Sequence, residues 1–497
     1  MISTRLLTPE QKNEILGQAY FYRSWFYFQI IKRYGGMPII DKVFEGGDDD
    51  IPRVTYHESH DWMMEDIQKA IYMLPDSWDD PNYGRPTKIA AMALKEWAQL
   101  FDASPLMQND LNSTENKGYD TERAKSAAKS AYEVIRYMDG SKSAPYPYGL
   151  ASKEEYTNVF YFKYPPVHQP EYIWVKRQFP NAANQNQKRT IRTFWQYEDL
   201  AFGSGPDGNS MCCPSLNIVN MFDKKGADGI YYPIDDPRSG YALDYAHKPF
   251  EDRDPRFYNN ILLPGTTWGH YADGRTYYIT TYKGGAAYQH MLTQKDCNKR
   301  MFTGFMCKKF MWPECNQYLE KNNPNCWWDY RFLTIYIRAS QIYLDYAEAL
   351  FEGCGSATAT IEGCPISAAE AINILRRRIG LTDLPSDIVA DPDKFRAAYR
   401  RERAVELMFE NHRWWDIRRW MIAHELFAGQ YPIKGMLATP KDKNHSKVQD
   451  KSTLEFTYEV TDVIPEERKF GMKNYWYPFS MNDASSLNNL VQNPGWE

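Results

Sequence analysis

Apolar positions recur at helical spacing along the first 140 residues. Ala19, Tyr22, Phe26 and Ile30 fall at i, i+3, i+7 and i+11, marking one stripe of a helix. Gly35 and Gly36 end it, because glycine takes the left-handed cap conformation at little cost. Further helices are predicted over 56–74, stopped by Pro75, from Thr87 as N-cap through AAMALKEWAQLF, and over 121–138. From about 140 to 330 the texture changes to turn-rich stretches such as PYPYG, YPPVHQP, FGSGPDGNS and YYPIDDPRSG, which allow short strands at most. Helical spacing returns near Phe332. Ile335, Ala339, Ile342, Tyr346 and Ala349 form a stripe, with 366–379 as its partner helix. The longest helix is expected over 392–424, with Ala404, Leu407, Met408, Trp414 and Trp415 on one face and Glu402, Glu406 and Arg413 opposite. The pattern predicts a mainly α chain in three parts: helical 1–140, a loop-rich aromatic insertion 141–330, and helical 331–497 with an irregular tail.

Composition narrows what such a chain does. A net charge of −5 has no basic excess and argues against nucleic acid as a partner. Aromatics reach 15%, with 37 Tyr, 24 Phe and 15 Trp, a supply that suits cores, interfaces and sugar platforms alike. No run approaches the ~20 apolar residues of a spanning helix, and Met1–Glu10 lacks the basic and apolar regions of a signal peptide. The eight cysteines all lie at or beyond Cys212 and form no CxxC metal frame. Cys354 and Cys364 flank the loop GCGSATATIEGC, which either a disulfide staples or two free thiols border.

Sugar binding needs flat apolar faces for the C–H side of the ring and polar side chains for its hydroxyls. The loop-rich segments supply both: Trp195 and Tyr197 in TFWQYED, Trp268 and Tyr271 in GTTWGHYADGR with Asp273 and Arg275, Trp312 in FMWPECN, and Trp327 and Trp328 in NCWWDYR. Trp78, in DSWDDPNYG between two helices, is a further candidate. The competing reading for each is a plug that anchors its own loop. Glu402, Glu406 and Glu410 alternate with Arg400, Arg403 and Arg413. Paired carboxylates can do acid–base work on glycosides, yet this spacing reads as ion pairs on a helix surface. Asp228, Asp235 and Asp236 could hold Ca²⁺, though Asp in turns more often bonds its own backbone. HESH at 57–60 is not the HExxH of a zinc protease.

Seven segments in order resemble the SusD/RagB family: AYFYRSWFYFQIIKRYGGMPII (19–40), FEDRDPRFYNNIL (250–262), TGFMCKKF (303–310), IYIRASQIYLDYAEAL (335–350), INILRRRIGL (372–381), RRERAVELMFENHRWWDIRRW (400–420) and YPFSMNDASSLNNLVQNPGW (477–496). The resemblance implies a tetratricopeptide-like helix-hairpin scaffold, although no clean repeat of that signature is visible. It also implies a non-catalytic glycan binder on the outer membrane that serves a SusC-like TonB-dependent transporter. Members begin with a lipoprotein signal and a lipidated Cys, and about a fifth of the chain precedes the AYFYRSWFYF helix. Here that helix starts almost at once, so an N-terminal part with its lipid anchor is expected to be missing, leaving apolar surface on 19–40. No cofactor is implied. A glycan-cleaving enzyme and a helical-repeat protein adaptor are the alternatives.

Overall fold

A computed structural model of the chain describes residues 7–46, 50–144, 146–160, 168–177, 213–241, 248–270, 274–285, 288, 303–310, 333–463 and 468–496. Four helices open it: α1 (Pro9–Tyr34), α2 (Tyr56–Met73), α3 (Lys88–Ala103) and α4 (Thr121–Gly140). Their starts follow local chemistry. Thr8 and Thr55 form capping boxes with Gln11 and Glu58, Thr87 caps α3, and Asp120 accepts from the amides of Glu122 and Arg123. Gly35, at φ 79°, ends α1. Each helix packs on the next, and α4 packs on α5 (Ala339–Cys354), which in turn packs on α6 (Ala368–Arg378). The result is a mainly α, tetratricopeptide-like arrangement.

The stripe predicted for α1 faces outward. Phe26 is 59% exposed, and Tyr22 and Ile30 are also exposed. The core takes the neighbouring stripe, Phe21, Ser24, Phe28 and Ile31, from which Gly17 lets the helix approach Met73 and Leu74. Both stripes are apolar, so periodicity alone could not choose between them.

Two further expectations change. Residues 333–338 form a strand, and the helix begins only at Ala339. Likewise the long helix over 392–424 is broken into α7 (Pro392–Glu406), α8 (Arg413–Arg419) and a short turn Ala423–Leu426. Phe409, Asn411 and Met421 stand at φ of 59°, 67° and 57°, a left-handed backbone that no helix continues through.

The strand β1 (Tyr172–Arg177) pairs antiparallel with β2 (Leu333–Arg338), in a register that sets Val175 opposite Ile335 and carries a bulge around Trp174. This clasp ties the start of the loop-rich region to α5. One hydrophobic core contains Phe21, Ile67, Leu94 and Val134 together with Leu350, Ile372, Tyr399 and Trp420. The first and last helical segments therefore share an interior rather than building two. Beyond the clasp, the described part of the middle region consists of two-stranded ribbons and single-turn helices around smaller clusters. No described helix is long and apolar enough to cross a membrane.

The glutamates expected on a helix surface are buried. Arg256 reaches Asp254 at 2.7 Å, Glu402 at 2.5 Å and Glu406 at 3.0 Å. Arg338 bonds Glu171, Glu406 and Glu410 at 2.8, 2.9 and 2.6 Å, Arg378 bonds Glu406 at 2.6 Å, and Lys309 bonds Glu410 at 2.6 Å. The break after Glu406 folds the chain back and brings these groups together. Burial alone would raise the Glu406 carboxyl, but the guanidinium groups of Arg378, Arg338 and Arg256 outweigh it and hold it well below the usual carboxylate range. Trp415 is buried as expected of a core residue, whereas Trp414 is 37% exposed and donates to the Tyr477 hydroxyl.

Candidate functional site

The loop between α2 and α3 reads DSWDDPNYGRP. Asp79 caps a single 3₁₀ turn over Asp80–Asn82, accepting from the Asn82 amide, and Gly84 (φ 95°) lets the chain reverse into α3. Trp78 is thereby held half-buried on the loop, its indole N–H donating to the Pro86 carbonyl at 2.9 Å. The Arg85 guanidinium sits 5.5 Å above its ring.

Facing this loop are Tyr146, from the PYPYG turn, and His168, just before β1. Their rings stack at 3.5 Å with 18° between planes, and the edge of Tyr83 meets His168 at 4.8 Å. His168 Nε2 lies 3.3 Å from Asp80 Oδ1. Together with Tyr148 and the first residues of β1, Trp78, Tyr83, Arg85, Tyr146 and His168 line a small, shallow cleft of ≈ 40 Å³. Its floor is rigid, because Trp174 is buried and stacks on Tyr336 of β2 at 4.6 Å while meeting Trp25 and Phe21 of α1 edge-on. Burial raises the Tyr148 hydroxyl above its ordinary pKa, so it is a neutral donor. The cleft thus offers aromatic surface and an exposed guanidinium within one small area, with the Asp80 carboxylate bonded to His168 beside it.

Of the residues singled out in the sequence, Trp78 lies in this cleft. Trp268 does not: it is 3% exposed, packs into a core cluster with Tyr156, Tyr277 and Met306, and plugs the base of the Thr267–His270/Thr276–Tyr278 ribbon. Arg275 is exposed on that ribbon and is not among the cleft-lining residues. Trp195, Tyr197, Tyr271, Asp273, Trp312, Trp327 and Trp328 lie outside the described residues. Cys354 and Cys364 are free thiols, so the loop carries no staple; Cys364 is buried beside the Tyr346 hydroxyl instead. Asp228 accepts from the Ile230 amide and the Tyr232 hydroxyl, and Asp236 holds Arg238, so both carboxylates serve their own turns. Tyr83, Arg85, Tyr146 and His168 were not singled out. Tyr146 and His168 sit in strings read for their prolines and glycines, Tyr83 sits in the string read for Trp78, and Arg85 directly follows it. A larger cavity, lined in part by Ile218, Met221, Met408, Phe409, Trp414 and Phe427, lies beside α8 and is mainly apolar.

A model of the SusD family matches residues 170–496, about two thirds of the sequence. This chain belongs to the SusD family. A second model, described as starch-binding associating with outer membrane, matches residues 1–96 of the SusD-family chain. Among solved structures, a SusD-like protein from Bacteroides fragilis NCTC 9343 is 25% identical, with 99% of this chain and 81% of that one covered at a TM-score of 0.70. A SusD-like carbohydrate binding protein from the same strain is 22% identical, with 98% and 81% covered at 0.65. A laminarin binding SusD-like protein is 18% identical, with 99% and 80% covered at 0.53. No curated relative matches at a significant level.

Proposed function

We propose that this SusD-family protein binds glycans at the outer membrane without cleaving them, with Trp78 as the sugar platform, and delivers them to a SusC-like TonB-dependent transporter. The observation that carries the reading is the cleft itself. Trp78 and the Tyr146–His168 pair present ring faces on a buried aromatic floor, and the exposed Arg85 guanidinium lies beside them to meet hydroxyls. A pyranose stacks its C–H face on an indole and takes its orientation from such donors and acceptors. The family description, and the carbohydrate- and laminarin-binding names of two structural relatives, point the same way.

The enzymatic alternative loses its best residues. Glu402, Glu406 and Glu410 are locked in buried ion pairs with arginines, out of reach of a polysaccharide. Family membership supports surface exposure through a lipid anchor and partnership with the transporter as parts of the same proposal. Calorimetric titration of the protein and of Trp78→Ala with a panel of oligosaccharides, α- and β-linked, tests the reading. Binding by the parent and loss by the variant, with no new reducing ends, supports it. Binding that Trp78→Ala leaves unchanged would move the site elsewhere, and reducing ends that track the protein would overturn the non-catalytic role.

A further inference from the structure

On the far side of α2 from α1, a second group of polar residues meets. His57, His60 and Asp61 follow the i, i+3, i+4 spacing of one helix face. Asp102, buried in the last turn of α3, faces them, as does Arg123 from the first turn of α4. His60 Nδ1 lies 3.0 Å from Asp61 Oδ1 and 3.4 Å from Asp102 Oδ2. A ligand atom from each of these three residues lies within 4.8 Å of the other two. His57 Nδ1 reaches the remaining Asp102 oxygen at 2.6 Å. The Arg123 guanidinium bonds Asp102 and stands 3.5 Å from Asp61. Nε2 of His60 is buried and has no hydrogen-bond partner, so its ring is fixed through Nδ1 alone.

We infer that this cluster is a site for one divalent first-row transition-metal ion, with His60, Asp61 and Asp102 as ligands and Arg123 as the cation the metal replaces. Two carboxylates, one of them 2% exposed, require a compensating positive charge here. Arg123 supplies it from the edge, where its side chain is 32% exposed. Asp61, 61% exposed, leaves the outer side of the site open to water ligands. One imidazole with two carboxylates suits Zn²⁺, Co²⁺ or Mn²⁺, whereas Ca²⁺ and Mg²⁺ take oxygen alone. The His57 N–H on the second Asp102 oxygen would fix that carboxylate, as the outer-shell partners of metal ligands do. The site is separate from the Trp78 cleft and does not rest on the glycan reading.

The full chain, stripped with EDTA, is titrated with CoCl₂ and followed by its visible d–d bands, then back-titrated with ZnCl₂. One Co²⁺ per chain is expected, displaced by Zn²⁺. Asp61→Asn, an exposed change that leaves the fold intact, and His60→Ala each lose the bands. Arg123→Ala removes the competing cation and binds at least about tenfold tighter, and Zn²⁺ raises its melting temperature more than that of the parent. Absence of bands in the parent overturns the site even if Arg123→Ala binds, because arginine would then be the permanent cation. Bands that survive both His60→Ala and Asp61→Asn overturn it as well.

Discussion

The end of α7 and the loop before α3 both gather arginines, carboxylates and aromatic rings, and put them to opposite uses. Around Glu406, every charge is buried and answered by an opposite charge at 2.5–3.0 Å. Around Trp78, the same residue types lie at a half-open edge. Asp80 and Arg85 keep water contact there, and Tyr146 is 45% exposed. Inventory therefore does not decide role; burial does. Sequestered charge pins one geometry, because breaking any pair strands a charge in the interior. The same residue types at a rim stay within reach of a ligand.

The contrast breaks most sharply at Glu406. Glu406→Ala leaves Arg256, Arg338 and Arg378 facing one another and is expected to cost about 3–5 kcal/mol in denaturant unfolding. A loss below about 1 kcal/mol would mean that the network is incidental. Trp268→Ala empties a core site and is expected to cost about 3–5 kcal/mol while leaving glycan affinity unchanged. Weaker sugar binding by a well-folded Trp268→Ala would place that tryptophan in a ligand site after all.

Acid should weaken the buried region. Burial pushes His412 down to about 3, so between about 6.5 and 3 the unfolded chain takes up a proton that the folded one refuses. Glu406, held low by its arginines, works in the same direction below the ordinary carboxylate range. Asp254, raised by burial, opposes them. Thermal scans from pH 7 to pH 4 should show the melting temperature falling. A rise would show that groups like Asp254 dominate.

At the rim the effects are smaller and fall on binding. Trp78→Ala is expected to weaken glycan affinity by about 2 kcal/mol, roughly thirtyfold, with little change in unfolding free energy. Tyr146→Ala, which removes one ring of a stacked pair, should cost about 0.5–1.5 kcal/mol of binding. If both instead lower stability and spare affinity, the cleft is scaffold.

Much of the helical frame was readable in advance, because capping threonines, Pro75 and Gly35 act within a turn of themselves. The edges of α2, α3 and α4 fell within two residues of expectation. The outward stripe of α1, the strand at 333–338 and the breaks at Phe409 and Asn411 were not readable, since each depends on a partner distant in sequence. The site was legible only at Trp78. His168 meets Asp80 from 88 positions away, and Tyr146 comes from a turn of its own.

Local chemistry along the chain thus determined where helices begin and end, the mainly α class, and the ordered motifs that mark the family. Only the tertiary structure decided which apolar stripe is buried, that Glu402, Glu406 and Glu410 serve the interior, and that Trp78 lines a cleft while Trp268 plugs a core. The physical reason is that capping and turn preferences are set within a few residues, whereas burial is set by which distant segments close over a side chain. An arginine or a tryptophan carries no mark of that in its neighbours.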